Sequence, residues 1–394
     1  MQSAYIIATV CAALLPVAAA SGWYLSKLGS ERRRHARVSE LSSSYFRGLN
    51  YLLNEQPDKA IEVFLQLAEY NRDTVETHLA LGNLFRRRGE VDRAIRVHQH
   101  LIARPNLSDE EKTIALLELG EDYMRAGLLD RAETLFTDLV AMDAQAPSAL
   151  KHLIGIYQHE KDWEKAIEHA RRMETITGES QGATIAQFHC ELAEQARASR
   201  QFDEARRWLD AALQSQPESV RAQIVLGHLE LQEGHLGAAT AAFERVAVLD
   251  VEFVPEILPQ LLDCYARLGR MQRAEKFLLD NLDRAQSVAP VIALAKLFAS
   301  TRGEPIAIEF LTRQLRQRPS VRGLMTLIVT DLHRSEGPTR DSLLVLQDLT
   351  RRLLEGQAAY RCTRCGFGAK SHHWQCPSCK TWGSVRPIHG VIGE

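Results

Sequence analysis

The chain has 394 residues, of which 45% are hydrophobic, 25% charged and only 7% aromatic, the composition of a folded protein that leans toward helix. Lys and Arg number 48 against 50 Asp and Glu, so the formal net charge of −2 gives no global electrostatic reason to expect nucleic acid as a partner. The length allows two or three domains, or one extended array whose core grows by repetition.

Residues 1–25 contain an uncharged run from Ala4 to Leu25. As a helix it is about 30 Å long, enough to cross the hydrocarbon core of a bilayer. Pro16 is tolerable in such a helix, and Trp23 and Tyr24 sit where interfacial aromatics belong. Residues 26–40 form a basic juxtamembrane linker with Lys27, Arg32, Arg33, Arg34 and Arg37, whereas no Lys or Arg precedes the run. The positive-inside rule therefore predicts a single-pass transmembrane anchor with its N-terminus outside and the bulk of the chain in the cytoplasm. A cleaved signal peptide, which Ala18-Ala19-Ala20 would suit, carries its positive charge before the apolar run instead. The linker reads as a topology determinant that also touches anionic lipid headgroups.

Residues 41–320 carry a unit that recurs most often at 34 residues. Gly48, Gly82 and Gly120 share one position, followed by Tyr51, Phe85 and Tyr123; Ala60, Ala94 and Ala132 share another, followed by Phe64, His98 and Phe136. The phase continues through Tyr157 and Ala166, Ala205, Gly227 with Ala239 and Phe243, Tyr265 with Ala274, and Phe298 with Ala307. Several units turn on Gly89, Gly127, Gly234 or Gly269 and close on Pro105, Pro217 or Pro319. These residues resemble the tetratricopeptide repeat family, with about eight units, and the resemblance implies an all-α superhelical solenoid of antiparallel helix pairs. Small residues let the paired helices approach, and large ones plug into the next unit. Ser108 with Glu111 predicts a capping box in a lengthened turn, and 177–182 predicts a loop between units.

Such arrays bind peptides or protein segments on a concave face. The inner-helix positions that would face it include Asn83, Arg86 and Arg87 in the second unit and Glu121, Met124 and Arg125 in the third, a polar and partly basic groove. Residues 321–356 read as a capping helical pair broken at Ser335-Glu336-Gly337-Pro338. Its second helix, from about Thr339 to Glu355, puts Leu343, Val345, Leu346, Leu349 and Leu353 on or near one face.

The seven cysteines fall into two sets. Cys11, Cys190 and Cys264 are scattered in apolar surroundings and read as buried free thiols, a usage that suits a reducing compartment. Residues 357–394 contain Cys362, Cys365, Cys376 and Cys379 in the pattern C-x2-C-x10-C-x2-C. Each C-x-x-C turn aims two sulfurs at one point, and two such turns make a tetrahedral four-thiolate site for one metal ion, iron or zinc. Arg361, Arg364, Lys370 and Lys380 would offset the charge of such a centre, and Tyr360, Phe367, Trp374 and Trp382 would give so short a module its hydrophobic cover. His372 and His373 are left as surface residues or outer neighbours of the ligands. The segment resembles rubredoxin-type knuckles, except that Lys380 stands where a rubredoxin has Gly, and it also resembles the zinc ribbon of RadA-type ATPases, although no P-loop follows here.

Anchor, repeats and knuckle in this order resemble the lipopolysaccharide assembly protein B family of Gram-negative bacteria over the whole chain. The resemblance implies an inner-membrane adaptor, not an enzyme, whose knuckle packs against the repeats. Its implied partners are the membrane AAA+ protease FtsH, the deacetylase that commits precursors to lipid A, lipopolysaccharide assembly or transport proteins, inner-membrane lipid and a second copy in a homodimer. The implied function is to limit lipopolysaccharide synthesis by promoting proteolysis of that deacetylase. A membrane-tethered electron carrier with iron at the cysteines, or a generic assembly scaffold, are the contrasting readings. The chain carries no G-x-x-x-x-G-K-[ST], H-E-x-x-H or G-x-S-x-G sequence that would point to an enzyme.

Overall fold

A computed structural model of the chain describes residues 75–391 continuously and, before them, residues 44, 46–51, 54 and 56–70. The expected anchor at 1–25, the linker at 26–40, Cys11 and the last residues of the knuckle domain lie outside the described residues. Among the described residues no helix is long and apolar enough to cross a membrane. The chain divides into two compact units, one ending at Ile156 and the other beginning at Tyr157.

The first unit contains helical residues 46–51, then α1 (Pro57–Tyr70), α2 (Val75–Arg88), α3 (Val91–Ile102), α4 (Asp109–Arg125), α5 (Leu129–Ala141) and most of α6 (Ala146–Glu160). The expected close approach within each pair is present. A Cβ added to Gly82 would stand 2.3 Å from His98 Nε2, and one at Gly120 would stand 2.5 Å from the Phe136 ring, so each glycine is the seat of the large side chain sixteen residues later. Ala60, Ala94 and Ala132 are wholly buried. Ser108 caps α4 in the predicted box: its hydroxyl accepts from Glu111 N while the Glu111 carboxylate accepts from Ser108 N.

The second unit continues the pattern through α7 (Trp163–Thr177), α8 (Gly182–Ala198), α9 (Phe202–Ser215), α10 (Val220–Gln232), α11 (Leu236–Leu249), α12 (Val254–Arg267), α13 (Met271–Leu282), α14 (Ala289–Arg302) and α15 (Glu304–Gln317). A single 3-10 turn, Val251–Phe253, precedes α12. Gly227 seats Phe243 at 2.4 Å, and Ala166, Ala205, Ala239 and Ala274 are wholly buried. The turn between paired helices requires a left-handed residue, supplied by Gly89, Gly127, Gly234 and Gly269 with φ of 85°, 76°, 81° and 67°. Two pairs lack that glycine, and there Lys161 and Arg200 adopt φ of 60°. Cys190 and Cys264 are buried free thiols, as their apolar surroundings predict.

The last pair is α16 (Val321–Leu332) and α17 (Gly337–Leu354), the latter within two residues of its predicted bounds. The predicted apolar face of α17 divides. Thr350 is buried and Leu343 and Leu354 are partly covered, but Val345, Leu346, Leu349 and Leu353 are exposed. After α17 none of the described residues is helical, and the small domain is a three-stranded antiparallel sheet of β1 (Tyr360–Cys362), β2 (Gly368–Ala369) and β3 (Val385–Pro387) in the order β2-β1-β3.

Two outcomes follow from this packing. Gly120→Ala should cost about 1–3 kcal/mol in chemical unfolding, because Phe136 has nowhere to retreat. His189 is buried in α8 against the Trp208 ring, 5.6 Å away, and neither ring nitrogen has a hydrogen bond. Burial, and then the charge of Arg171, push its pKa down to about 4. The unfolded chain therefore binds a proton here that the folded chain refuses, and stability falls as pH drops from 6.5 toward 4. Between pH 7.5 and 5 the wild type should lose about 2 kcal/mol more than His189→Phe, read from urea midpoints.

Candidate metal centre and its seat on the repeats

The two C-x-x-C turns are built alike. In the first, the Gly366 N–H donates to Cys362 O at 3.0 Å, and in the second the Lys380 N–H donates to Cys376 O at 2.9 Å. Both closing residues are left-handed, with φ of 77° at Gly366 and 57° at Lys380, so Lys380 occupies a conformation that glycine adopts without strain. The turns bring all four sulfurs within 4.8 Å of one another. Cys362 Sγ and Cys379 Sγ are 3.7 Å apart, as are Cys365 Sγ and Cys376 Sγ. Thiolates 2.3 Å from a common tetrahedral ion stand about 3.8 Å apart, so the four cysteines predicted from spacing form a closed site for one metal ion. The Ser384 hydroxyl, 3.3 Å from Cys362 Sγ, pulls that thiol down to about 6, while burial pushes Cys376 up to about 11. A bound metal takes all four as thiolates, so its binding releases protons and supplies folding free energy to the small domain.

Of the four aromatic residues expected to cover the knuckle, Tyr360 and Phe367 do so, whereas Trp374 and Trp382 face the repeats. Its own core is Cys362, Cys376 and Val385 with Tyr360, Phe367 and Cys379 at the edge. Trp382 instead packs edge-on against Trp163 and Phe188, with centroids 6.2 and 6.1 Å away, and Trp374 stacks on Phe253 at 5.3 Å. A 28-residue module cannot enclose two indoles, and the repeat helices offer the apolar surface it lacks. His372, expected at the surface or beside the ligands, is inserted between Trp374, Phe253 and Tyr360 at centroid distances of 4.5, 5.3 and 5.6 Å. Burial there pushes its pKa down to about 4, so the ring is neutral near pH 7.

Polar contacts fix the register of this seat. Gln158 Oε1 on α6 accepts from Trp382 Nε1 at 3.1 Å and Gln375 Nε2 at 3.0 Å. Tyr360 OH donates to the Glu256 carboxylate on α12, and Arg386 donates to Asp250 while lying 5.0 Å from the Phe253 ring centroid. The centre of the seat is Arg221, the second residue of α10, which is only 2% exposed. Its guanidinium is 5.6 Å from the centroids of both Trp374 and Trp382, and it donates to Glu191 at 2.8 Å and Glu194 at 2.9 Å. Burial alone would lower the Arg221 pKa, but the charges of Glu194 and Glu191 outweigh it and hold the group above its ordinary value. Repeat periodicity does not reveal Gln158, Arg221 or Glu256, because each is a polar residue at a position that a free array would leave in solvent.

In the compact unit that ends at Ile156 the predicted polar groove residues separate. Arg86 is half-buried and donates to Glu118 at 2.6 Å and Asp122 at 2.8 Å, with Glu121 at 2.8 Å. Glu121 also accepts from His152 Nε2 at 3.1 Å, the contact that most lowers its pKa. Arg86 and Glu121 are thus partnered within the unit. Arg87 and Arg125 are exposed with no ion pair among the described residues, and Asn83 Oδ1 is buried with no hydrogen-bond partner. Asp122 and His98, which complete the network, are both wholly buried with Nδ1 and Oδ2 2.5 Å apart. The only sequence signal for them is that His98 stands where Phe64 and Phe136 occupy the equivalent position. A second group of possible ligands, Glu230, Glu233 and His235, already pairs with Arg206, which lies 2.6 Å from Glu233 and also bridges to Glu230.

Comparison with known proteins agrees with both modules. Residues 360–387 match the rubredoxin metal binding domain family, and residues 77–111, 117–180 and 190–255 match tetratricopeptide repeat families. The chain is 38% identical over 381 residues to lipopolysaccharide assembly protein B of Escherichia coli (strain K12), covering 96% of this chain and 98% of that protein. It is 34% identical over 384 residues to the protein of the same name from Haemophilus influenzae, covering 95% and 97%.

Asp122 carries both Arg86 and His98 on one buried carboxylate. Asp122→Asn keeps its shape and removes its charge, and it should destabilise the protein by about 3–5 kcal/mol in chemical unfolding.

Proposed function

Because the chain belongs to the lipopolysaccharide assembly protein B family, we propose that it is a non-catalytic adaptor of the bacterial inner membrane that limits lipopolysaccharide synthesis. In this reading the uncharged run at 1–25 anchors the chain with its repeats in the cytoplasm. The repeats then bring the membrane protease FtsH and the deacetylase of the lipid A pathway together, so that the deacetylase is degraded. The observation that carries the reading is the relation along nearly the whole of both chains, 96% and 98%, with the metal module included.

The physical mechanism is effective concentration. Two proteins held on one scaffold, itself confined to the membrane, meet at millimolar effective concentration with no chemistry required of the scaffold. Arg87 and Arg125 are the groove residues with capacity to spare for a bound segment, through their exposed charge. The metal keeps the small domain folded and so keeps its indoles on the repeats.

Cys376→Ser with Cys379→Ser should abolish metal binding and lengthen the lifetime of the deacetylase in cells. Metal content of the purified chain and a chase of deacetylase levels after blocking translation read the two effects. A metal-free variant with wild-type deacetylase turnover would sink this function. A red iron protein with a reversible redox couple, rather than a colourless zinc protein, would favour the electron carrier.

A further inference from the structure

The four cysteines of the metal site are not equally shielded. Cys362 and Cys376 are 1% and 0% exposed and Cys379 is half-buried, whereas Cys365 lies open to solvent. Buried structural cysteines are inert to oxidants, and exposed thiolates in electropositive surroundings are not. Coordination already requires the Cys365 sulfur to be a thiolate. Its surroundings are electropositive, since residues 356–393 hold Arg361, Arg364, Lys370, Lys380 and Arg386 and no Asp or Glu. Arg364 adjoins Cys365 and donates to Thr381 Oγ1 at 2.9 Å. The second sulfur that a disulfide needs is at hand. Cys376 Sγ stands 3.7 Å from Cys365 Sγ, and a bond of about 2.0 Å brings the two closer by about 1.7 Å.

The same cysteines hold the contact with the repeats in place. The second C-x-x-C turn lies inside a loop closed by the β-bridge between Gln375 and Trp382, and both of those side chains donate to Gln158 Oε1 on α6. Trp374, next to that bridge, stacks on Phe253 and lies beside the Arg221 guanidinium. Because Gln375 adjoins Cys376, a Cys376 sulfur drawn out of the four-sulfur cluster disturbs the residue that anchors the domain. Chemistry at the exposed sulfur is thereby connected to the seat on α6, α8, α10 and α12.

We propose that Cys365 is an oxidation site for hydroperoxides and that its oxidation lifts the metal domain from the repeats. The Cys365 thiolate attacks the terminal oxygen of the peroxide, which passes to sulfur with its hydrogen; the O–O bond breaks, and the other oxygen leaves as hydroxide or alkoxide and takes a proton from water. The Cys376 thiolate then attacks the sulfenic acid at Cys365. An S–S bond forms, the S–O bond breaks, and the departing hydroxide takes a second proton. Two thiolates have given two electrons to the peroxide. The two cysteines that remain do not complete a tetrahedral site, so the ion leaves, the small domain unfolds without it, and its indoles leave the repeats. A thiol reductant returns the two electrons and lets the metal rebind, as suits a transient disulfide in a reducing compartment.

The test treats the full chain, loaded with zinc in mild detergent, with hydrogen peroxide. Zinc release, read with a chromogenic chelator, should accompany a red shift of tryptophan emission, as Trp374 and Trp382 pass from their apolar seat into water, and faster amide exchange in α10 around Arg221. Trapping with dimedone and mapping the peptides by mass should find the sulfenic acid first at Cys365, and later a disulfide from Cys365 to Cys376. Dithiothreitol with zinc should restore both metal content and emission. Cys365→His keeps a fourth ligand that zinc accepts and removes the oxidisable sulfur, so it should release zinc about tenfold more slowly. If that variant takes up no zinc, the order of trapping in the wild type decides. Zinc retained after Cys365 is oxidised, oxidation that begins at another cysteine, a zinc-loaded Cys365→His variant as sensitive as the wild type, or release that leaves emission and exchange unchanged overturns the proposal.

Discussion

The close approach of paired helices is the constraint from which the rest of this structure follows. It is possible only where one helix gives up its side chain, and the buried alanines and the glycines at 82, 120 and 227 are those places. Once each pair closes in this way, successive pairs present their first helices side by side. In the second unit the metal domain uses that regularity. It takes one anchoring contact from the first helix of each of four successive pairs: Gln158, Phe188, Arg221 and Glu256. The seat is a product of the repeat, although no single repeat contains it.

The chain also places charge where burial is expensive, and it does so in each unit. Arg221 lies in the first turn of α10, at the positive end of that helix dipole, with almost no access to solvent. Two carboxylates from α8 and the faces of two indoles replace the water it has lost. Such a cation is costly when any partner is missing, so the geometry couples the fold of the metal domain to the state of the repeat surface beneath it. In the first unit, Asp122 stands in the same relation to Arg86 and His98. Buried pairs of this kind contribute less to net stability than to uniqueness of packing, since a shift of register would strand a charge.

Much of this was legible in the residue order, and for identifiable reasons. Helix pairing repeats along the chain, so its small and large positions recur at fixed spacing and can be aligned. The capping box at Ser108 is local, and the metal site depends on two turns of four residues each. Even the strain at Lys380 could be anticipated, because its counterpart in the first knuckle is a glycine. Arg86 and Glu121 were harder to read, because an exposed helix position and one facing an acidic neighbour in the next pair look identical in one dimension.

By itself, then, the sequence determined the repeat, its turns and the four-cysteine metal site, because each rests on residues close in the chain or on a period that marks which residues meet. Only the tertiary structure decided that Trp374, Trp382 and His372 face the repeats rather than the knuckle's own interior. It alone showed that Arg221 is buried beneath them and that the apolar face of α17 is left uncovered. Those outcomes depend on contacts between residues as far as 224 positions apart, as Gln158 and Trp382 are, whose pairing no local pattern or period encodes.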